Sequence, residues 1–162
     1  MNITLHKATD ADAKQIYEYQ KASFQPLLDK YLDMETNPAN EPLTRTQIRI
    51  NRPDGGFYKI MAGGQFVGAI CIFSEDPGTY WISPMFVHPS YQGKGIAQQA
   101  LKKVENMFSD AKVWRLATLR EEKGNCYLYE KAGYQLTGKV QPLNVRATFG
   151  LLRKMVNIVC VV

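Results

Sequence analysis

Residues Gln92-Gly93-Lys94-Gly95-Ile96-Ala97 set two glycines and a lysine between an apolar run and a long amphipathic pattern. Residues of these types at the start of a helix can hold an anion. The first helical turn carries amide donors without intrahelical partners, together with the positive end of the macrodipole. Glycine lets a phosphate reach the backbone where a Cβ would block it, and Lys94 adds charge at the same place. Two phosphate motifs are excluded. A P-loop needs Ser or Thr after its lysine, where this chain has Gly95, so the magnesium-binding hydroxyl is missing. A dinucleotide fingerprint beginning at Gly93 needs glycine at position 98, where the chain has Gln98. A structural turn and a phosphate cradle both remain open for this loop.

Downstream, "NCYLYEKAGY" (Asn125 to Tyr134) gathers an amide side chain and three tyrosines in one short stretch. A tyrosine hydroxyl can give up a proton in catalysis. Tyr127 lies two residues from Tyr129, on another face of a helix, and Tyr134 is expected to begin the following strand. Each tyrosine is equally an ordinary aromatic for a core, and Asn125 is a natural helix N-cap. His6 and His88 are too few and too far apart to suggest a metal site, and none is expected. Cys71, Cys126 and Cys160 are odd in number and lack C-x-x-C spacing, which argues against a disulfide framework or a zinc site. Cys126, beside Asn125, is a candidate covalent nucleophile.

The elements that must position these residues follow from periodicity. "ITLHKAT" (Ile3 to Thr9) alternates as a first strand. Asp10 is expected to cap a helix with Ala13, Ile16, Tyr17, Tyr19 and Phe24 on one face, which Pro26 then interrupts. A Pro/Asn-rich connection from Tyr31 to Pro42 leads to a short helix around Thr44 to Asn51. "FYKIMA" and "QFVGAICIF" are joined by Gly63-Gly64, a strong hairpin signal. The strand "TYWISPMFV" contains Pro84, which removes a ladder donor and predicts a bulge or a splayed edge. From Gly95 the period changes, and Ala97, Ala100, Leu101, Val104, Met107 and Phe108 mark a buried helix face. "VWRLATL" is a strand, Asn125 to Ala132 a helix ending at Gly133, and "YQLTG" and "VRATFGLL" finish the sheet. This order predicts an α/β (α+β layered) fold, a mixed sheet with helices on its faces.

At 162 residues, 45% hydrophobic and 22% charged, the chain is expected to form one globular domain over residues 1–162. The net charge of +5 suits an anionic partner or simply a mildly basic surface. Lys and Arg are spread along the chain without a nucleic-acid signature, so a nucleic-acid partner is not expected. The N-terminal stretch has no apolar signal region, and the apolar end from Met155 to Val162 is too short to span a bilayer. A cytoplasmic location without membrane attachment, with reduced thiols, is the expectation. The apolar end would complete the sheet or pack in a homodimer.

The glycine loop resembles the Q/R-x-x-G-x-G/A signature of the GNAT superfamily of N-acetyltransferases, with Gln92, Gly95 and Ala97 at the signature positions. "NCYLYEKAGY" is similar to that family's Asn-then-Tyr-Glu-Lys-x-Gly-aromatic segment, in the same order and with one strand between. The resemblance covers about Phe57 to Gly138. It implies the GNAT fold, with about six to seven strands, about four helices, and strands splayed at the cofactor site. It implies acetyl-CoA as cosubstrate, with the pyrophosphate on the amides of Gln92, Gly93, Lys94, Gly95, Ile96 and Ala97. The strand ending Met85-Phe86-Val87 would splay to admit the pantetheine arm, and amides around Phe86 and Val87 would polarise the thioester carbonyl. Tyr129 matches the tyrosine that protonates the departing thiolate, and Asn125 would hydrogen-bond the cofactor.

The resemblance implies direct attack by a primary amine of a small molecule or peptide in a ternary complex. Tyr31, Glu35 and Tyr80 are the candidate acceptor residues. Many relatives carry a Glu on the strand before the signature as general base, but "TYWISPMFV" has no carboxylate. Asp33, Glu35, Glu75 and Asp76 are the alternatives, with Glu35 favoured, or a water chain does the work. The missing carboxylate also keeps open a catalytically silent acyl-CoA-binding or sensor module.

Overall fold

The computed structural model describes residues 2–156. Its elements run β1 (Ile3–Lys7), α1 (Ala13–Tyr31), α2 (Leu43–Ile50), β2 (Gly55–Ala62), β3 (Gln65–Asp76) and β4 (Thr79–Val87). They continue with α3 (Ile96–Met107), β5 (Val113–Leu119), α4 (Lys123–Lys131), β6 (Gln135–Pro142) and β7 (Thr148–Met155). The strands form one seven-stranded sheet in the order β1-β2-β3-β4-β5-β7-β6. All neighbours are antiparallel except β4 and β5.

Period-two alternation sends side chains to two cores, one on each sheet face. Phe57, Ala69, Cys71 and Phe86 meet Ala13 and Ile16 of α1 and Ile50 of α2. Their chain neighbours Tyr58, Ile70, Ile72 and Val87 meet Ile96, Ala100, Leu101 and Val104 of α3 on the other face. Tyr129 and Ala132 pack against this second core, which places α4 on the α3 side. Of the helical stripe read from the sequence, Ala100, Leu101 and Val104 form the buried face of α3, Ala97 and Phe108 pack partly buried against the same core, and Met107 is exposed. The sheet lies between two helical layers.

The feature that positions the site is a split in this sheet. β4 and β5 pair only where Thr79–Trp81 meets Val113–Arg115. Beyond that, β4 stays with β3 and β5 stays with β7 along its whole length. From Ile82 to Val87 on one side and Leu116 to Leu119 on the other, the two strands part. Pro84 sits where this begins. Ile70 faces Met85 and Ile72 faces Ile82, so β4 holds one residue more than β3 there, and the Ser83–Pro84 bond is cis. That is the bulge expected from the missing amide.

Three expectations are corrected. Pro26 does not interrupt α1, which continues through it to Tyr31. Buried residues on both sides of the proline, Ile16 and Gln20 before it and Leu28 and Tyr31 after it, hold the helix against the one lost donor. Asp10 begins a short 3-10 turn instead of capping α1; Thr9 and Asp12 form the capping box of that turn. Asn125 is the third residue of α4, which starts two residues earlier with Glu122 at its N-cap. The apolar end from position 157 to 162, with Cys160, lies outside the described residues.

Candidate active site

The parted strands open a cleft of about 1400 Å³, bordered by the end of β4, the glycine loop, the start of α3, β5, α4 and the α1–α2 connection. At one end lies the α3 N-terminus. Gly93 and Gly95 have φ of 77° and 74°, and Gly95 is the N-cap with no side-chain cap. A Cβ built on either glycine would meet no protein atom within 4 Å, so the space over the helix end is open. The first turn of α3 contains no acidic residue, and its leading amides are left for an outside acceptor. This end fits an anion such as a pyrophosphate.

Gln92 folds back, its Nε2 donating to the Val87 carbonyl at 2.9 Å. Its side chain therefore braces the loop at the cleft border. Lys94 does not border the cleft; its Nζ sits 5.8 Å from the Tyr91 ring centroid. Ile96 is buried in the α3 core and Ala97 borders the cleft.

The amides of β4 sort by alternation. His88 donates its N–H to the Val67 carbonyl on β3 at 2.8 Å. Val87 and Met85 are then turned to the opposite edge, toward the split, while the Phe86 amide points at β3. Phe86 departs from expectation in this respect. Its ring is buried against α1, edge-on to Phe24 at 6.1 Å, and its amide serves the sheet.

Tyr129 borders the cleft from α4, near Asn125, which is exposed on the same helix. Its hydroxyl has no hydrogen-bond partner among the described residues, and burial of the ring pushes its phenol up to about 12. Tyr127 is largely exposed, and Tyr134 is buried in the core.

The acceptor candidates separate. Tyr31 is buried at the cleft wall, its hydroxyl donating to Glu122 Oε2 at 2.5 Å. Lys30 Nζ reaches the same oxygen at 2.9 Å. The bonds from Lys30 and Tyr31 hold the Glu122 carboxyl below its ordinary value, while burial and the Glu122 bond push the Tyr31 phenol up. Glu35 is exposed on the cleft rim, whereas Asp33 is occupied by the backbone N–H and hydroxyl of Thr36. Tyr80 does not border the cleft. It lies in the still-paired part of β4, buried beside Trp114, with its hydroxyl on Asp110. Glu75 is likewise elsewhere, taking the indole N–H of Trp81.

Two groups escaped the sequence reading. Glu122 had one available signal, its position seven residues before Tyr129, which is two helical turns on the same face. Glu41 had none. It takes both terminal guanidinium nitrogens of Arg49 at 2.8 Å and the amide of Gln20 at 2.9 Å, bracing the α1–α2 wall of the cleft. Among the described residues, no group of three or more His, Cys, Asp or Glu is placed to hold a metal ion. No helix among them is long and apolar enough to cross a membrane.

YrkN, an uncharacterized protein of Bacillus subtilis (strain 168), is 24% identical over 137 residues, 83% of this chain and 74% of that protein. The crystal structure of the ribosomal-protein-S18-alanine N-acetyltransferase from Escherichia coli superposes with a TM-score of 0.78 at 11% identity, covering 97% of this chain and 96% of that one. Spermidine N-acetyltransferase from Vibrio cholerae, in complex with CoA and spermine, gives 0.75 at 14% identity, covering 94% and 95%. The model of the acetyltransferase (GNAT) family matches residues 13–134, from the start of α1 to the tyrosine after α4. The chain belongs to the acetyltransferase (GNAT) family.

Proposed function

We propose that this acyltransferase moves an acetyl group from acetyl-CoA to a primary amine of a small molecule or peptide, by direct attack in a ternary complex. The observation that carries the reading is the split between β4 and β5, which joins an open helix N-terminus to Tyr129 in one cleft. When bound, acetyl-CoA supplies the acetyl group as a thioester. The amides of Gly93 to Ala97 would bind its pyrophosphate, with Gln92 bracing the loop behind them. The outward amides of Met85 and Val87 would hold the pantetheine arm and the carbonyl oxygen that gains charge. Asn125, which borders the cleft from α4, would add a side-chain hydrogen bond to the cofactor.

Tyr129 serves as the acid at the sulfur. A phenol near 12 is a weaker acid than a thiol near ~8.5, so its proton moves only as the sulfur gains thiolate charge. The hydroxyl therefore donates a hydrogen bond to the sulfur and yields its proton as the C–S bond breaks. The amine nitrogen loses one proton overall and the sulfur gains one.

Glu35, exposed on the cleft rim and without an ion pair among the described residues, is the carboxylate that would favour a cationic amine, since Lys30 already pairs Glu122. β4 carries no carboxylate, so amine deprotonation passes through water toward the rim. That same lack favours the second reading, an acyl-CoA-binding module without turnover. The test is thiol release from acetyl-CoA across an amine library. At least one amine should turn over, and Tyr129→Phe should lower kcat about 100-fold with little change in the acetyl-CoA KM. Tight CoA binding with no amine acetylated would establish the binding module instead.

A further inference from the structure

Tyr129 has no hydrogen bond of its own among the described residues, yet an acid must be aimed at the sulfur. Its aim has to come from the backbone and ring packing at the end of α4. That end is a Schellman cap. Gly133, with φ 99°, donates its N–H to the Glu130 carbonyl at 3.0 Å, and Tyr134 donates its N–H to the Tyr129 carbonyl at 3.0 Å. The hydrophobic contact that accompanies such a cap joins the same two residues: the rings of Tyr129 and Tyr134 meet edge to face at 6.2 Å. Tyr134 thus holds Tyr129 through both main chain and ring.

Tyr134 is itself anchored from two other elements. It is 1% exposed, and its hydroxyl donates to Glu105 Oε1 of α3 at 3.1 Å. Lys154 of β7 closes the network. Its Nζ lies 2.8 Å from Glu105 Oε2 and donates to the Ala132 carbonyl at 2.9 Å, an orphan acceptor at the α4 end. A cation at a helix C-terminus is also favoured by the macrodipole. The Lys154 stem lies against Gly133, 3.2 Å from where a Cβ would stand.

We propose that Lys154, Glu105 and Tyr134 are positioning residues that aim the Tyr129 hydroxyl by locking the C-terminal turn of α4 to α3 and β7. A plain tyrosine in the core needs no such arrangement. Here one lysine satisfies both the carboxylate that holds Tyr134 and the helix carbonyl beside it. The inference rests on Tyr129 as the acid, and the experiment separates the two ideas.

Tyr134→Phe removes one hydroxyl, and Lys154→Met removes the ammonium while keeping a stem over Gly133. Each should lower kcat about tenfold with the acetyl-CoA KM unchanged, and Lys154→Arg should restore the rate. In a Tyr129→Phe background, neither change should cost further rate, since nothing is left to aim. In the protein without cofactor, the Tyr134 amide should exchange hydrogen about tenfold faster in Lys154→Met, while slow core amides keep their protection. If Tyr129→Phe slows the enzyme and the other variants leave kcat unchanged, the positioning role is overturned and the acid stands. Equal losses with and without the Tyr129 hydroxyl would also overturn it. If Tyr129→Phe has no effect, the acid assignment fails first.

Discussion

Burial pushes the Tyr129 phenol up to about 12, and this fixes the pH behaviour expected of an acid at that place. The working form is the neutral phenol, which is fully present below the folded-state value. An amine acceptor works in its free-base form, so the rate should rise as pH rises toward the amine's own value near ~10. We expect kcat and kcat/KM for the amine both to climb toward pH ~10, without a falling limb from an ordinary tyrosine. A descending limb centred near pH ~10 and absent in Tyr129→Phe would contradict a buried, raised phenol. At this scale the sequence separates Tyr129 from Tyr127 and Tyr134 by helical spacing and by the Tyr-Glu-Lys-x-Gly resemblance, and the structure places all three differently. Tyr80 is misjudged for a local reason. Strand periodicity cannot say where two strands part, and they part just after Trp81. Glu122 is hidden because its surroundings, Lys30 and Tyr31, come from ninety residues away.

Among the elements, the start of α3 carries the anion site. Gly95 has a left-handed φ of 74° and open space above it, so an alanine there both strains the backbone and puts a methyl over the amides. The strain is about 1–2 kcal/mol. Gly95→Ala should therefore lower the melting temperature by only a few degrees while raising the Kd for CoA at least tenfold. Unchanged affinity, measured by calorimetry, would remove the phosphate from this helix end. The hairpin at Gly63-Gly64, the buried stripe of α3 and the bulge at Pro84 are legible because turn chemistry and periodicity are local. Pro26 within α1 is not, since what keeps the helix going is the packing of Leu28 and Tyr31 beyond the proline. The insertion of β7 between β5 and β6 also escapes a sequence reading, because strand order is decided by pairing between distant segments.

At the scale of the whole molecule, the cleft is built from both helical layers and both halves of the sheet. The parallel β4–β5 pair is closed at one end and open at the other, and helices on both faces leave the gap accessible. The α1 end is tied to α4 through Tyr31 and Glu122, and to the β6–β7 loop through Asn144, whose Nδ2 donates to the Tyr31 carbonyl at 2.9 Å. A ligand filling the cleft would touch both helical layers and both halves of the sheet, and so should resist their separation as a unit. Binding to the folded state alone stabilises it by about 2.7 kcal/mol at a hundredfold excess over Kd. For a domain of this size that is a rise in melting temperature of roughly 5–10 °C. The most direct measurement is thermal unfolding of the protein with and without CoA at such a concentration. The melting temperature should rise by that much in the unsubstituted protein and lose about half of the rise or more in Gly95→Ala; a melting temperature unmoved by CoA would overturn the assignment of this cleft to CoA.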